Sequence, residues 1–195
     1  MGLVFVIAIK GLLAQEPHEK RFGLSTAIFK NDVYRQVQLD GAGGVDAGSA
    51  FALGIQFNYH LKGKFWLGTA FEYFETNNTY NGTVVNPQVP LFTKEIQSRI
   101  VSLPVFLKYY PHKLIYLKPG ITFDYQFNNT DGAYIDNQSG VGISFSAGFE
   151  INVLKMVYLA IEPGFGLTSI INLHGGNFPQ RFFCYGLGFN AQIGL

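Results

Sequence analysis

A single cysteine, Cys184, occurs in 195 residues, so no internal disulfide framework staples this chain. Charge is scarce as well. Asp, Glu, Lys and Arg make up 14% of the residues, against about 25% in ordinary soluble domains. The formal net charge is +1, which excludes a strong pull toward nucleic acid. No apolar run approaches the about 20 residues that a transmembrane helix needs. Histidines are few and scattered, at His18, His60, His112 and His174, and no metal-ligand spacing occurs. The glycine-rich stretch from Asp40 to Asp46 lacks the oxygen-ligand spacing of a calcium loop and reads as a connection. Ser169 and His174 lie close in sequence but bring no acid partner with them. These absences leave no catalytic residue, no metal and no cofactor to assign, and a non-enzymatic protein is expected.

Aromatic side chains are abundant instead: nineteen Phe and eleven Tyr bring their share, with the one Trp, to 16%. From Ser49 to Leu61 every second residue is large and apolar. Phe51, Leu53, Ile55, Phe57, Tyr59 and Leu61 fall on one side of an extended chain, and Ala50, Ala52, Gly54, Gln56, Asn58 and His60 on the other. Side chains of a strand alternate between its faces, so the segment reads as a strand with one greasy and one small, wet face. The pattern recurs, predicting strands at about 21–30, 49–61, 64–75, 98–110, 114–127, 140–153, 156–170 and 181–195. Long connections (31–48, 76–97, 128–139 and 172–180) alternate with tight turns at Lys62 and Gly63, at 111–113, and at Leu154 and Lys155. Eight strands of about ten residues, with long and short connections in turn, predict an all-β, eight-stranded antiparallel up-and-down transmembrane β-barrel.

Alternation alone does not say which face meets lipid, because a soluble lipocalin-like barrel alternates too. Composition does. One face of the sixth strand carries Gly142, Ser144, Ser146, Gly148, Glu150 and Asn152, and one face of the last carries Cys184, Gly186, Gly188, Asn190, Gln192 and Gly194. Such small residues suit the crowded interior of an eight-stranded ring. Their bulky neighbours are uncharged, as a lipid face requires, since Lys or Arg at its midplane costs about 2–4 kcal/mol. Leu53, Ile55, Leu103, Ile121, Ile143, Phe145, Leu159, Ile161, Leu187 and Phe189 are therefore expected to face lipid. Phe51, Tyr73, Tyr125, Phe127, Phe183 and Tyr185 fall near the long-connection rim, and Tyr59, Phe65 and Tyr109 near the other, as aromatic belts do. Pro104, Pro119 and Pro163 fall inside strands, where each removes a ladder donor, and bulges or kinks are expected there.

The inward face carries ions on successive strands: Glu72, Lys108, Lys118, Asp124, Glu150 and Glu162. Lys108, Lys118, Glu150 and Glu162 count to a similar depth from the short turns. A salt-bridge lattice filling the lumen is one reading and a narrow, gated ion path the other. The apolar stretch 3–9 and the small residues to Gln15 resemble an export signal, predicting a signal peptide at 1–15 and a barrel at 16–195. The Asn-x-Ser/Thr triplets at Asn77, Asn81, Asn128 and Asn137 are expected in exposed connections. Val84, Val89, Leu91 and Phe92 hint at a protein or polysaccharide partner for those connections.

The stretch SLPVFLKYY at 102–110, YLKPG at 116–120 and LLAQ at 12–15 resemble the small outer-membrane β-barrel family of Gram-negative bacteria labelled porin-like or PorT-like. The last strand resembles the signal read by barrel-assembly machinery, with Leu195 where Phe is usual. The resemblance implies an outer-membrane location, outer-membrane lipid as surroundings and assembly-machinery contact during insertion. It carries over no catalytic residue, because members range from structural barrels to accessory parts of secretion systems.

Overall fold

The computed structural model describes residues 19–35, 44–82, 93–128, 135–173 and 180–195. Eight strands run in chain order: β1 (Lys20–Arg35), β2 (Gly44–Lys62), β3 (Phe65–Asn81), β4 (Thr93–His112), β5 (Ile115–Gln126), β6 (Gly140–Leu154), β7 (Val157–Asn172) and β8 (Gln180–Gly194). Each pairs antiparallel with the next, and β8 returns to β1, closing the ring. Closure removes both sheet edges, so the backbone satisfies itself without water.

Parity decides which side chains turn outward. Leu53 is 51% and Ile143 49% exposed, and Ile55, Leu103, Ile121, Phe145, Leu159, Ile161, Leu187 and Phe189 are exposed with them. Their inward neighbours Ala52, Gln56, Gly142 and Asn190 are buried. Apolar surface circling the whole barrel far exceeds the patches of a few hundred Å² that soluble monomers tolerate. It is the composition of a wall standing in hydrocarbon. Outward aromatics line up across strands: Phe145 and Phe165 at 5.7 Å, Phe165 and Phe183 at 6.3 Å, and Phe65 stacked on Tyr109 at 5.0 Å.

Three expectations need correction. First, β2, β3 and β4 run to 19, 17 and 20 residues, well into what read as connections. Residues 93–99 of β4 pair with β3 alone, because β5 begins its pairing at Ile100. This projecting sheet is wet on its outer side, so the hydrophobic alternation that marks the lower strands is diluted there. Its inner side still carries Val45, Tyr80 and Ile96 against the apolar cluster at the mouth. Asn77 and Asn81 consequently stand on β3 and not in a connection. Second, the connection after β5 is not simply exposed: Ile135, Gln138 and Ser139 are buried.

Third, the prolines do not make bulges. Register shifts fall elsewhere, at Asp46/Ser49, His60/Lys62, Tyr109/His112, Val141/Ile143 and Asn152/Leu154. Pro104 pairs regularly with Thr122, Pro119 with Phe145 and Pro163 with Leu187. On each proline's other side the ladder skips two positions and resumes in the same register. A strand residue gives its N–H to one neighbour only, so a proline loses one bond on one side and leaves the wall aligned. Residues 1–18 and 83–92, with the export segment and with Val84, Val89, Leu91 and Phe92, lie outside the described residues.

An arginine on the outward face tests its surroundings. Leu187→Arg is expected to lower the unfolding free energy by about 2–4 kcal/mol in urea titrations of protein refolded into lipid vesicles. An unchanged midpoint would mean that this face does not meet hydrocarbon.

Candidate functional site

Among the described residues, buried polar chemistry is concentrated in the lumen, and it is arranged in tiers. At the short-turn end Arg21 opens β1 with its side chain inward, 8% exposed. Its guanidinium lies 3.6 Å from the Tyr158 ring centroid and 4.2 Å from that of Trp66. Arg21 Nε meets Glu19 Oε1 at 2.8 Å and Nη1 meets Glu150 Oε1 at 2.6 Å. The Tyr158 hydroxyl donates to Glu19 at 3.0 Å, and the Tyr110 hydroxyl donates to Glu150 Oε2 at 3.0 Å. Glu150 thus ties β1, β4 and β6 together.

One step inward, Lys108 is 1% exposed. Its ammonium stands 3.9 Å from Glu150 Oε2 and 4.4 Å above the Tyr116 ring centre, with no partner at hydrogen-bond distance. Coulomb attraction and the ring's negative face hold it. Tyr116 is fully buried, and its hydroxyl donates to Glu162, which also pairs with Lys118. The geometry needs Gly148: a Cβ there would stand 2.0 Å from Tyr116 Cζ. Glycine on β6 makes the slot in which an aromatic from β5 lies flat.

The next tier holds the remaining acids. Asp124 accepts from Ser102 at 2.6 Å and from Thr122 at 2.9 Å, and Glu72 accepts from Ser25 at 3.4 Å. Beyond them the chemistry turns apolar. Phe74, Ile96, Ile100, Ile135, Phe182 and Cys184 form one buried cluster, with Phe29, Val33, Val45 and Tyr80 packed on it. The segment after β5 is pinned into this mouth: Gln138 donates from its side chain to the Gln180 carbonyl at 2.9 Å and accepts from Thr168 at 2.7 Å. Between the charged tier and the apolar tier lies a cavity of about 170 Å³.

Of the six expected interior ions, the fold brings Lys108 to Glu150 and Lys118 to Glu162, and sets Glu72 and Asp124 apart among hydroxyls. Sequence reasoning missed Arg21, Trp66, Tyr110, Tyr116 and Tyr158. Parity held the signal for all five: Arg21 shares its face with Gly23 and Ser25, Trp66 with Glu72, Tyr110 with Lys108, Tyr116 with Lys118 and Tyr158 with Glu162. Ser169 is buried, and its hydroxyl donates to the Ser139 carbonyl at 3.3 Å. That is a structural role at a bulge, where Ser169 takes a φ of 50°. His174 lies outside the described residues. His60 packs on Trp66 at 4.9 Å near the short turn. Among the described residues no three His, Cys, Asp or Glu side chains converge on a common metal position.

Removing Glu150 strands two buried cations. Glu150→Ala is expected to cost about 3–5 kcal/mol, as loss of one partner of a buried pair does. Arg21→Met with Glu150→Leu should recover part of it. Chemical unfolding of both variants in detergent micelles measures the difference, and equal losses would show that the pairing does not matter.

No protein-family model and no curated protein sequence matches this chain. Among solved structures the fold is similar to that of Ail, the attachment invasion locus protein of Yersinia pestis, solved in complex with the heparin analogue sucrose octasulfate. That likeness has 12% identity, 89% of this chain and 99% of that chain covered, and a TM-score of 0.50. Neisserial surface protein A is similar at 15% identity, with 90% and 98% covered and a TM-score of 0.51. The outer membrane protease OmpT from Escherichia coli aligns at 8% identity over 93% and 99%, with a TM-score of 0.44 that is too low to bear on activity. At such identities the likeness speaks for architecture alone: this chain has the closed, eight-stranded antiparallel fold of small outer-membrane barrels.

Proposed function

We propose that the chain is a non-enzymatic integral protein of a Gram-negative outer membrane, with a closed lumen and its working surface at the long-connection end. One observation carries this reading: the interior is obstructed twice, by different chemistry. The Arg21–Glu150 tier, walled by Trp66, Tyr110 and Tyr158, occupies the short-turn end. The Phe74, Ile100 and Phe182 cluster, with Ile135 folded in from the connection after β5, occupies the other. An eight-stranded ring is just wide enough for side chains to fill, and the two tiers leave a pocket where a channel would need continuous water.

What projects is then the part that meets partners. The outer lengths of β2, β3 and β4 present Asp46, Asn81, Thr93 and Gln97, and Asn81 donates to Asp46 at 2.7 Å across the sheet. Such a polar, well-braced platform suits a protein or polysaccharide outside the cell. Outer-membrane lipid surrounds the wall, and barrel-assembly machinery inserts it. Placement in the porin-like or PorT-like group rests on the stretches 102–110 and 116–120, which fall on β4 and β5.

Planar-bilayer recording tests the reading. The purified protein should give no steady conductance in 1 M KCl, and membrane fractionation should find it in the outer membrane with heat-modifiable gel mobility. Reproducible single-channel steps that vanish on adding bulk at Ser146 would instead favour the narrow-channel alternative.

A further inference from the structure

The exposed charges at the short-turn end are nearly all of one sign. Each of the three tight turns carries lysine: Lys62 and Lys64 at the β2–β3 turn, Lys113 at β4–β5 and Lys155 at β6–β7. Lys20 opens β1 at the same end, where its carbonyl accepts from the Leu195 N–H at 2.8 Å. All of these lysines are exposed. Among the described residues the one acid at that end outside the lumen is Glu19, and it is held by Arg21 at 2.8 Å and by the Tyr158 hydroxyl at 3.0 Å. The opposite end mixes its signs: Arg99 pairs with Glu75 at 3.3 Å, and Asp32, Asp46 and Glu95 stand among Lys30, Lys94 and Arg181. A chain with a formal net charge of +1 thus gathers unmatched positive charge on one rim.

The lysines are spread round the mouth and not gathered on one side. Their stations, at β1 and at the three turns, follow one another round the closed ring. A compact partner would meet one or two of them, and only something that surrounds the barrel meets them all. Each station also borders the apolar wall. Lys64 precedes Phe65, Lys113 comes just before Ile115, Lys155 sits between Leu154 and Met156, and Lys20 lies beside Leu195; every one of these apolar side chains is exposed. The cations therefore stand where hydrocarbon gives way to headgroups. A lysine at such a boundary lays its stem along the apolar surface and keeps its ammonium in the polar layer. Lys64 also donates to the Pro111 carbonyl at 3.1 Å, which holds it at the rim and leaves it further N–H groups to give.

We propose that this rim recruits anionic phospholipids, the ring of lysines drawing their phosphates into the lipid shell around the short turns. A phosphate headgroup offers negative charge and acceptor oxygens at the depth where the ammonium groups sit. Each lysine close to an anionic lipid surface adds attraction, and the attraction falls off within a Debye length. Lysine suits a mobile headgroup: its compact charge on a flexible stem follows the lipid, whereas the planar fork of arginine demands one geometry. The uncharged wall beyond the ring adds no headgroup preference of its own. The inference goes beyond the closed-lumen reading and depends only on the wall standing in a bilayer, so a conducting lumen would leave it untouched.

Spin-label spectroscopy of the lipids at the protein surface tests this. The full chain is refolded into phosphatidylcholine vesicles carrying a trace of spin-labelled phosphatidylglycerol or spin-labelled phosphatidylcholine, and the motionally restricted fraction of each label is compared. In about 10 mM NaCl phosphatidylglycerol is expected to be preferred by roughly twofold or more. In about 1 M NaCl, where screening shortens to about 3 Å, the two labels should converge. Lys62→Gln, Lys64→Gln, Lys113→Gln and Lys155→Gln combined should abolish most of the preference, while Lys30→Gln with Lys94→Gln at the other end should keep it. Glutamine retains a polar stem without the charge, and heat-modifiable mobility reports folding. Wild type without a preference overturns the inference and leaves an acidic protein or a second copy as the partner of the ring. An undiminished preference in the turn variant overturns it too, as does an equal loss in the variant of the other end. Should the combined turn variant fail to fold, the pairs Lys62→Gln with Lys64→Gln and Lys113→Gln with Lys155→Gln supply the comparison.

Discussion

Every backbone N–H and C=O in this wall must find its partner within the wall, because hydrocarbon offers none. The closed antiparallel ladder from β1 round to β8 and back meets that demand. Strict two-residue alternation follows from it, since a one-residue slip would turn a whole lipid face inward. So does the tolerance for proline: Pro104, Pro119 and Pro163 each interrupt one ladder for two positions without moving the register. Bulges are confined to the turns and to the outer ends, where water can serve the groups they free.

A ring of eight strands leaves an interior of fixed width, and the side chains inside must fill it by complementary size. Glycine and aromatic residues divide the work. Tyr116 lies where Gly148 has no side chain, and Phe106 lies where Gly68 has none; a Cβ at Gly68 would stand 2.1 Å from the Phe106 ring. The glycine-rich inner faces of β6, β7 and β8 therefore serve two ends. They admit a ring from the neighbouring strand at one level, as Gly148 does for Tyr116, and leave open space at another, which is the central cavity.

Polar groups in such an interior are costly unless satisfied, and the chain satisfies most of them between strands far apart in sequence. Arg21 and Glu150 are separated by 129 positions, and Lys118 and Glu162 by 44. Replacing buried pairs by apolar side chains is often neutral or stabilising, so ionic contacts of this kind act chiefly to specify which strands meet at which level. The apolar cluster at the far mouth contributes burial without that specificity. The lumen is thus ionic in its lower half and apolar in its upper half.

The amino-acid sequence by itself determined the number of strands, their antiparallel order and the face each side chain takes. Leu53 against Gly54, or Phe149 against Glu150, already carries that information, because the pleat repeats every two residues whatever the surroundings. It also marked Lys108, Lys118, Glu150 and Glu162 as inward. Only the tertiary structure decided who meets whom: that Arg21 slides between Trp66 and Tyr158, that Ser102 and Thr122 donate to Asp124, and that Ile135 folds back into the mouth. Level within the barrel depends on how far successive strands are staggered when the ring closes, and that stagger belongs to all eight strands together. A local pattern of period two holds the direction of a side chain but not its height.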